Sequence, residues 1–261
     1  YVPLLCLSQN SSRLETQHIE MLEQKQVSGI LLSCIHMDEV FMERLRRLEI
    51  PCVLFDQTYE EYPGRNVGFD FYKGGMMATR YLIECGHRDI AFASGPLDRR
   101  SRKQRLDGYK AALRESGIRF NSRRLLVCNV SGDADGENAE FCNGYALGEQ
   151  LLASECLPDA VVAINDMTAI GMIQCLKAHN VYVPADVSII GFDNIYLSDF
   201  VEPALTTIHQ PSNEMGRRAA RMLLDAIEYP DSAQENVVMQ PKLVERKSVR
   251  KVYRRVRRLL P

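Results

Sequence analysis

The chain has 261 residues, 46% hydrophobic and 25% charged, enough apolar material for one or two packed domains. No apolar run approaches the roughly 18–20 residues of a membrane span. The opening YVPLLCLSQN lacks the basic flank and length of a secretion signal, and none of the eight cysteines is spaced as CxxC, so the expectation is buried, reduced thiols in a cytoplasmic protein without a zinc site.

Charge is uneven. The net value is −2, yet eight Lys or Arg follow Glu245 with no acid among them; the rest of the chain sets 24 bases against 34 acids, a body near −10. Such a body repels phosphate backbones.

In chain order, residues 1–7 read as a strand, and Asn10, Ser11 or Ser12 can cap a helix reaching Lys25 with Leu14, His18, Met21 and Leu22 on one face. Residues 29–34 (GILLSC) form a second buried strand, Asp38 caps a helix over 39–48, and 50–55 (IPCVLF) form a third. Residues 66–69 make a short strand that delivers Asp70, before a helix over 71–85 stopped by Gly86. The alternation repeats: strands over 90–94, 125–130 and 160–165 with helices over 99–116, 138–153 and 166–179. The run 187–192 lacks alternation and is bounded by Pro184 and Gly191, the pattern of a parallel strand buried on both faces; it ends in Asp193 and Asn194. A last β-type run, 205–208, leads through His209, Gln210 and Pro211 into a helix reaching Tyr229. Strands alternating with helices imply βαβ units, and their number suits two sheets better than one very wide one.

The stretch 186–216, with GFDN and LTTIHQP, and the later LVERKSV (243–249) are similar to the C-terminal core of the LacI/GalR (lactose-repressor) family of bacterial transcription regulators. The resemblance runs from about residue 4 to 249. It implies an α/β fold of two doubly wound parallel-sheet subdomains, periplasmic-binding-protein-like type I. Three crossings, near residues 85–88, 208–211 and 239–241, would give a first subdomain of 1–86 plus 210–239, a second of 87–209 plus 240–249, and a basic tail of 250–261. It further implies the ligand-sensing core of a cytoplasmic regulator that is a homodimer and not an enzyme. A small effector, a sugar or related polyol, would bind between the subdomains; no cofactor, metal or membrane is involved. Operator DNA would be reached only through an N-terminal helix-turn-helix which, with a hinge helix and a first strand and helix, precedes the segment matching Tyr1 in the family. Dimer contacts are expected on the first subdomain, at Val40 and Phe41.

By the same resemblance the effector pocket takes Asp70, Arg105 (in KQRLDGY), Asn165 (ending AVVAIN), Asp193 (ending SIIGF) and, from the acidic loop, Phe141 as an aromatic stacked on the ligand. All but Arg105 and Phe141 follow strands, at the edge where open sheets bind ligands. Carboxylates accept from paired hydroxyls while Arg and Asn donate, and such charge-assisted bonds are strong.

Plainer readings stand beside these. Asp166 reads better as a helix cap, Asp193 can cap a short helix at Asn194, and Arg105 can solvate a helix face as Arg99, Arg100 and Arg102 are expected to do. The D-x-D-G run at 133–136 mimics a calcium loop, but its glycine is misplaced and Gly144 stands where a glutamate is needed. GxSxG, HExxH, P-loop and GxGxxG signatures are missing. His87 reads as structural and His209 as part of a hinge; the tail reads as a solvated terminus. The rival reading, a transport-type sugar-binding protein of the same architecture, requires a secretion signal and fewer free cysteines.

Overall fold

The structure, a computed structural model, describes residues 1–8, 11–34, 38–56, 62, 64–128, 138–231 and 233–252. Its elements begin with α1 (Ser12–Gln24), β1 (Ile30–Leu32), α2 (Glu39–Arg46), β2 (Cys52–Asp56), β3 (Arg65–Phe69) and α3 (Phe71–Glu84). Next come β4 (Ile90–Ser94), α4 (Arg100–Glu115), β5 (Leu125–Val127), α5 (Ala139–Leu152), β6 (Ala160–Ala163) and α6 (Asp166–Ala178). β7 (Ser188–Asp193), β8 (Thr206–His209), α7 (Ser212–Glu228), β9 (Asn236–Met239) and β10 (Lys242–Val244) complete the chain.

These form two compact units: Tyr1–Asp70 with Pro211–Gln240, and Phe71–Gln210 with the described residues from Pro241 on. The first holds a parallel sheet of order β1-β2-β3-β9. The second holds β10-β8-β7-β6-β4-β5, parallel except for β10, which runs antiparallel to β8. The first division falls at Asp70, one helix before the crossing near residues 85–88 that the resemblance implies, because α3 packs on α4.

The continuous apolar runs become strands covered on both faces: all five residues of β4 and all four of β6 are buried. Helices meet in the second unit through paired glycines. A Cβ at Gly75 of α3 would overlap the Arg105 carbonyl, and one at Gly108 of α4 the Tyr72 carbonyl; Gly144 of α5 and Gly171 of α6 meet the Thr168 and Phe141 carbonyls in the same way. Backbones this close leave no room for side chains larger than hydrogen.

Several expectations need correction. Residues 1–7 form no strand and expose Tyr1, Val2, Leu5 and Leu7, because no strand of the first unit's sheet pairs with them. The α1 stripe is buried at Glu15 and Ile19, with Leu14, His18, Met21 and Leu22 half-buried around it. Ser11, one of the three expected caps, does cap α1, accepting from Leu14 N–H at 3.3 Å. Phe41 is packed in the first unit's core with Ile19, Leu45 and Leu54, whereas Val40 is exposed. Only Cys34, Cys85 and Cys175 are buried; Cys142 and Cys156 are exposed, and no disulfide joins any of the eight. The tail is not loose from its start: Arg250 N–H donates to Ser188 Oγ at 3.0 Å and Val252 N–H to the Cys85 carbonyl at 2.7 Å. Its residues 253–261, the loop 129–137 with its calcium-like run, and His36 lie outside the described residues. Among the described residues no helix is long and apolar enough to cross a membrane.

Candidate functional site

The C-terminal edge of the second unit's sheet gathers three of the expected residues. Asp193 is the last residue of β7, with φ at +107°, and Asn194 follows at +59°. Both lie in backbone regions that L-residues rarely adopt. Arg105 reaches the same edge from α4, nine-tenths buried, and one guanidinium nitrogen donates to the Ile164 carbonyl at the end of β6. Another lies 3.9 Å from Asp193 Oδ1, a charge neighbour beyond hydrogen-bonding distance. The guanidinium stacks 4.0 Å from the Phe192 ring centroid and 4.8 Å from that of Phe71, a cation–π arrangement that fixes its plane. The α3–α4 glycine contact, which touches the Arg105 carbonyl itself, holds the arginine in this place.

Asn165 follows Ile164 and caps α6, its Oδ1 accepting from Thr168 N–H at 2.8 Å. Its amide nitrogen has no partner among the described residues. Asp166 is therefore not the cap. It is fully buried and accepts from Ser198 Oγ and Thr207 Oγ1, each at 2.6 Å, and from Ile195 N–H at 2.9 Å. Burial pushes its carboxyl above the usual range, against the opposing pull of these donors. Asp166 thus ties the corner after β7 to β8, and Gly191 is glycine because a Cβ there would overlap its carboxylate. Nor does Asp193 cap a helix: the next turn is a 3-10 turn, Tyr196–Asp199, with Ile195 before it. Arg246, in LVERKSV, braces the corner from outside, donating to Asn194 Oδ1 at 2.8 Å, while Asn194 Nδ2 donates to His209 Nδ1 at 3.2 Å.

Phe141 stands on the first turn of α5, half-buried against the apolar cluster of the second unit. Asp70 belongs to the first unit, directly after β3, its N–H donating to the Met239 carbonyl at 3.1 Å. The neighbouring strand β2 ends in Asp56 at φ +78°, a carboxylate at the same sheet edge that the sequence reading passed over. Its signal was the repeated pattern of an apolar strand closing on Asp, as in SIIGFD.

Two more groups were missed. Ser94 ends β4 fully buried, its hydroxyl without a partner among the described residues. Arg102 is buried and paired with Glu140, not solvated as expected. Its spacing of three from Arg105 on one helix was the available clue. A groove of about 690 Å³ between α1 and α2 is rimmed by Arg44 and Arg47, which pair with Glu20, Glu23 and Glu43 instead of converging on one point. Among the described residues no group of three or more His, Cys, Asp or Glu is placed to hold a metal ion.

The edge of the second unit's sheet therefore presents one carboxylate acceptor, Asp193, with the Asn165 amide and the ring-stacked Arg105 guanidinium as donors, groups able to bond hydroxyls. Comparison with known proteins gives the family of the chain. Residues 79–249 match the family model described as a periplasmic binding protein-like domain. The chain is 34% identical over 251 residues to the HTH-type transcriptional repressor PurR of Vibrio atlanticus, covering 96% of this chain and 72% of that protein. It is 34% identical over 249 residues to the ribose operon repressor of Escherichia coli K12, covering 95% of this chain and 73% of that one. A LacI family transcriptional regulator from Enterococcus faecium, solved with bound ribose, superposes with a TM-score of 0.77 at 28% identity, over 91% of this chain and 85% of that one.

Proposed function

The chain belongs to the LacI/GalR family, as its ligand-sensing core, and from that premise we propose that its effector is a sugar or related polyol of pentose or hexose size. In this reading Asp193 and Arg105 hold neighbouring hydroxyls, Asn165 donates its amide to a third oxygen, and Asp70 is the first unit's contribution. Phe141 supplies an apolar wall. A site built from such groups rejects analogues lacking the hydroxyls, since its own polar atoms would be left unpaired. The effector then biases the regulator between two arrangements by the difference in its affinity for them, and operator occupancy follows through a DNA-binding domain joined to the core. The regulator works as a homodimer in the cytoplasm, performs no catalysis and needs no cofactor.

The observation that carries the proposal is Arg105, stacked on two aromatic rings with Asp193 as its charge neighbour at the edge of the sheet. A thermal-shift screen of D-ribose, hexoses, polyols, purines and nucleosides tests it. Stabilisation by a sugar or polyol is expected; stabilisation by purines or nucleosides alone would leave the family standing and overturn the effector class.

A further inference from the structure

A part-buried series of polar contacts lies beyond the expected ligand residues. Arg102 of α4 donates to the Pro96 carbonyl at 2.9 Å, in the turn after β4, and to Glu140 Oε1 at 2.5 Å, on the first turn of α5. The hydroxyl of Thr168, on the first turn of α6, is directed at the same glutamate, 3.4 Å from Oε2 and 3.5 Å from its main-chain carbonyl. Thr168 N–H is in turn the group that Asn165 caps at 2.8 Å. The series thus runs from the turn after β4, across α5, to the cap of α6. Arg105, one helical turn beyond Arg102, closes it by donating to the Ile164 carbonyl next to Asn165.

Burying a guanidinium is costly unless its donors are met, so a residue needed only for bulk at position 102 would be apolar. An arginine that is nine-tenths buried and bonded to two separate elements instead fixes those elements relative to each other. Glu140 is the joint: one carboxylate oxygen faces Arg102 and the other faces Thr168. We propose that Arg102 and Glu140 are positioning residues for the effector site, locking the first turns of α5 and α6 against the turn after β4 so that Asn165 keeps its amide directed outward to the ligand. This rests on the sugar reading for its consequence, but its structural claim is separate: loss of the joint loosens the cap of α6.

The test uses the full chain with three substitutions at Glu140, whose carboxylate is part-exposed and whose helical first turn tolerates each. Glu140→Ala and Glu140→Met remove the acceptors, the second while keeping bulk; Glu140→Gln keeps reach and one acceptor. Two readouts are taken: D-ribose affinity by calorimetry, and hydrogen exchange of the Thr168 amide by NMR. Ala and Met are expected to weaken D-ribose binding about tenfold and to speed Thr168 exchange about tenfold, while Gln stays within about threefold of the parent in both. If Met matches the parent in Thr168 exchange, the side chain is mere filling and the proposal falls. If the parent itself does not bind D-ribose, the choice of that sugar fails, and Thr168 exchange alone decides the positioning claim.

Discussion

At a single residue, Asp193, a strained backbone coincides with a proposed ligand contact. Asp193 holds a backbone φ of +107°, where an aspartate costs on the order of 1–3 kcal/mol and glycine costs little. The surroundings impose the strain: Asp166, buried beneath the corner, gathers Ile195, Ser198 and Thr207 and leaves the chain one way to turn. Asp193→Gly should therefore fold with a melting temperature equal to or above the parent's, while sugar affinity drops more than about tenfold, roughly 1.4 kcal/mol. Asp193→Ala should lose the same affinity without the gain in stability. Calorimetry beside thermal melts checks both, and unchanged affinity in either variant would remove the carboxylate from the site.

Elements place these residues by close approach. Because α3 and α4 cross with Gly75 and Gly108 at each other's carbonyls, Gly108→Ala must push the helices apart. Overpacking of this kind costs about 1–3 kcal/mol, and it should cost effector affinity as well, since Arg105 sits on the same helix one turn before Gly108. Urea melts together with sugar titrations read both losses. The segment after β10 is held by another device. His87 is fully buried, its Nε2 donating to the Arg250 carbonyl at 3.1 Å, with Asp159 and the Arg250 guanidinium as the charges that act on it. Burial depresses its pKa, the Arg250 carbonyl and Asp159 partly opposing and the Arg250 charge assisting. The imidazole is thus neutral in the native state, whereas the unfolded chain takes up a proton near pH 6.5. Its contribution is complete above that pH and declines as pH falls below it. His87→Asn should flatten the fall in stability as pH drops below about 6.5, measured by urea melts at each pH; an unaltered slope would assign the acid sensitivity elsewhere.

At the scale of the whole molecule, the sequence was most readable where burial alone shapes the chain. Strands covered on both faces leave continuous apolar runs, so β4, β6 and β7 and the residues at their ends could be located to within two positions. What escaped were features defined by distant partners. The burial of Arg102 depends on Glu140, 38 residues away, and the role of Asp166 on Ser198 and Thr207, 32 and 41 away. Strands β9 and β10 span only four and three residues between prolines and polar side chains, and they exist because β3 and β8 offer free edges. Two units also permit a test that a one-unit protein would not. A ligand at about one hundred times its Kd stabilises whatever it binds by about 2.7 kcal/mol, a rise of about 5–10 °C in the melting temperature of a chain this long. If D-ribose is held by Asp193, Arg105 and Asn165 alone, only the transition of the second unit should move, and scanning calorimetry should resolve a second, unshifted one. If Asp70 shares the ligand, both units gain and melt together. We expect the joint shift in the parent chain, and its reduction by more than half in Asp70→Ala; a first-unit transition unmoved by saturating sugar would remove Asp70 from the site while leaving the second unit's residues in place.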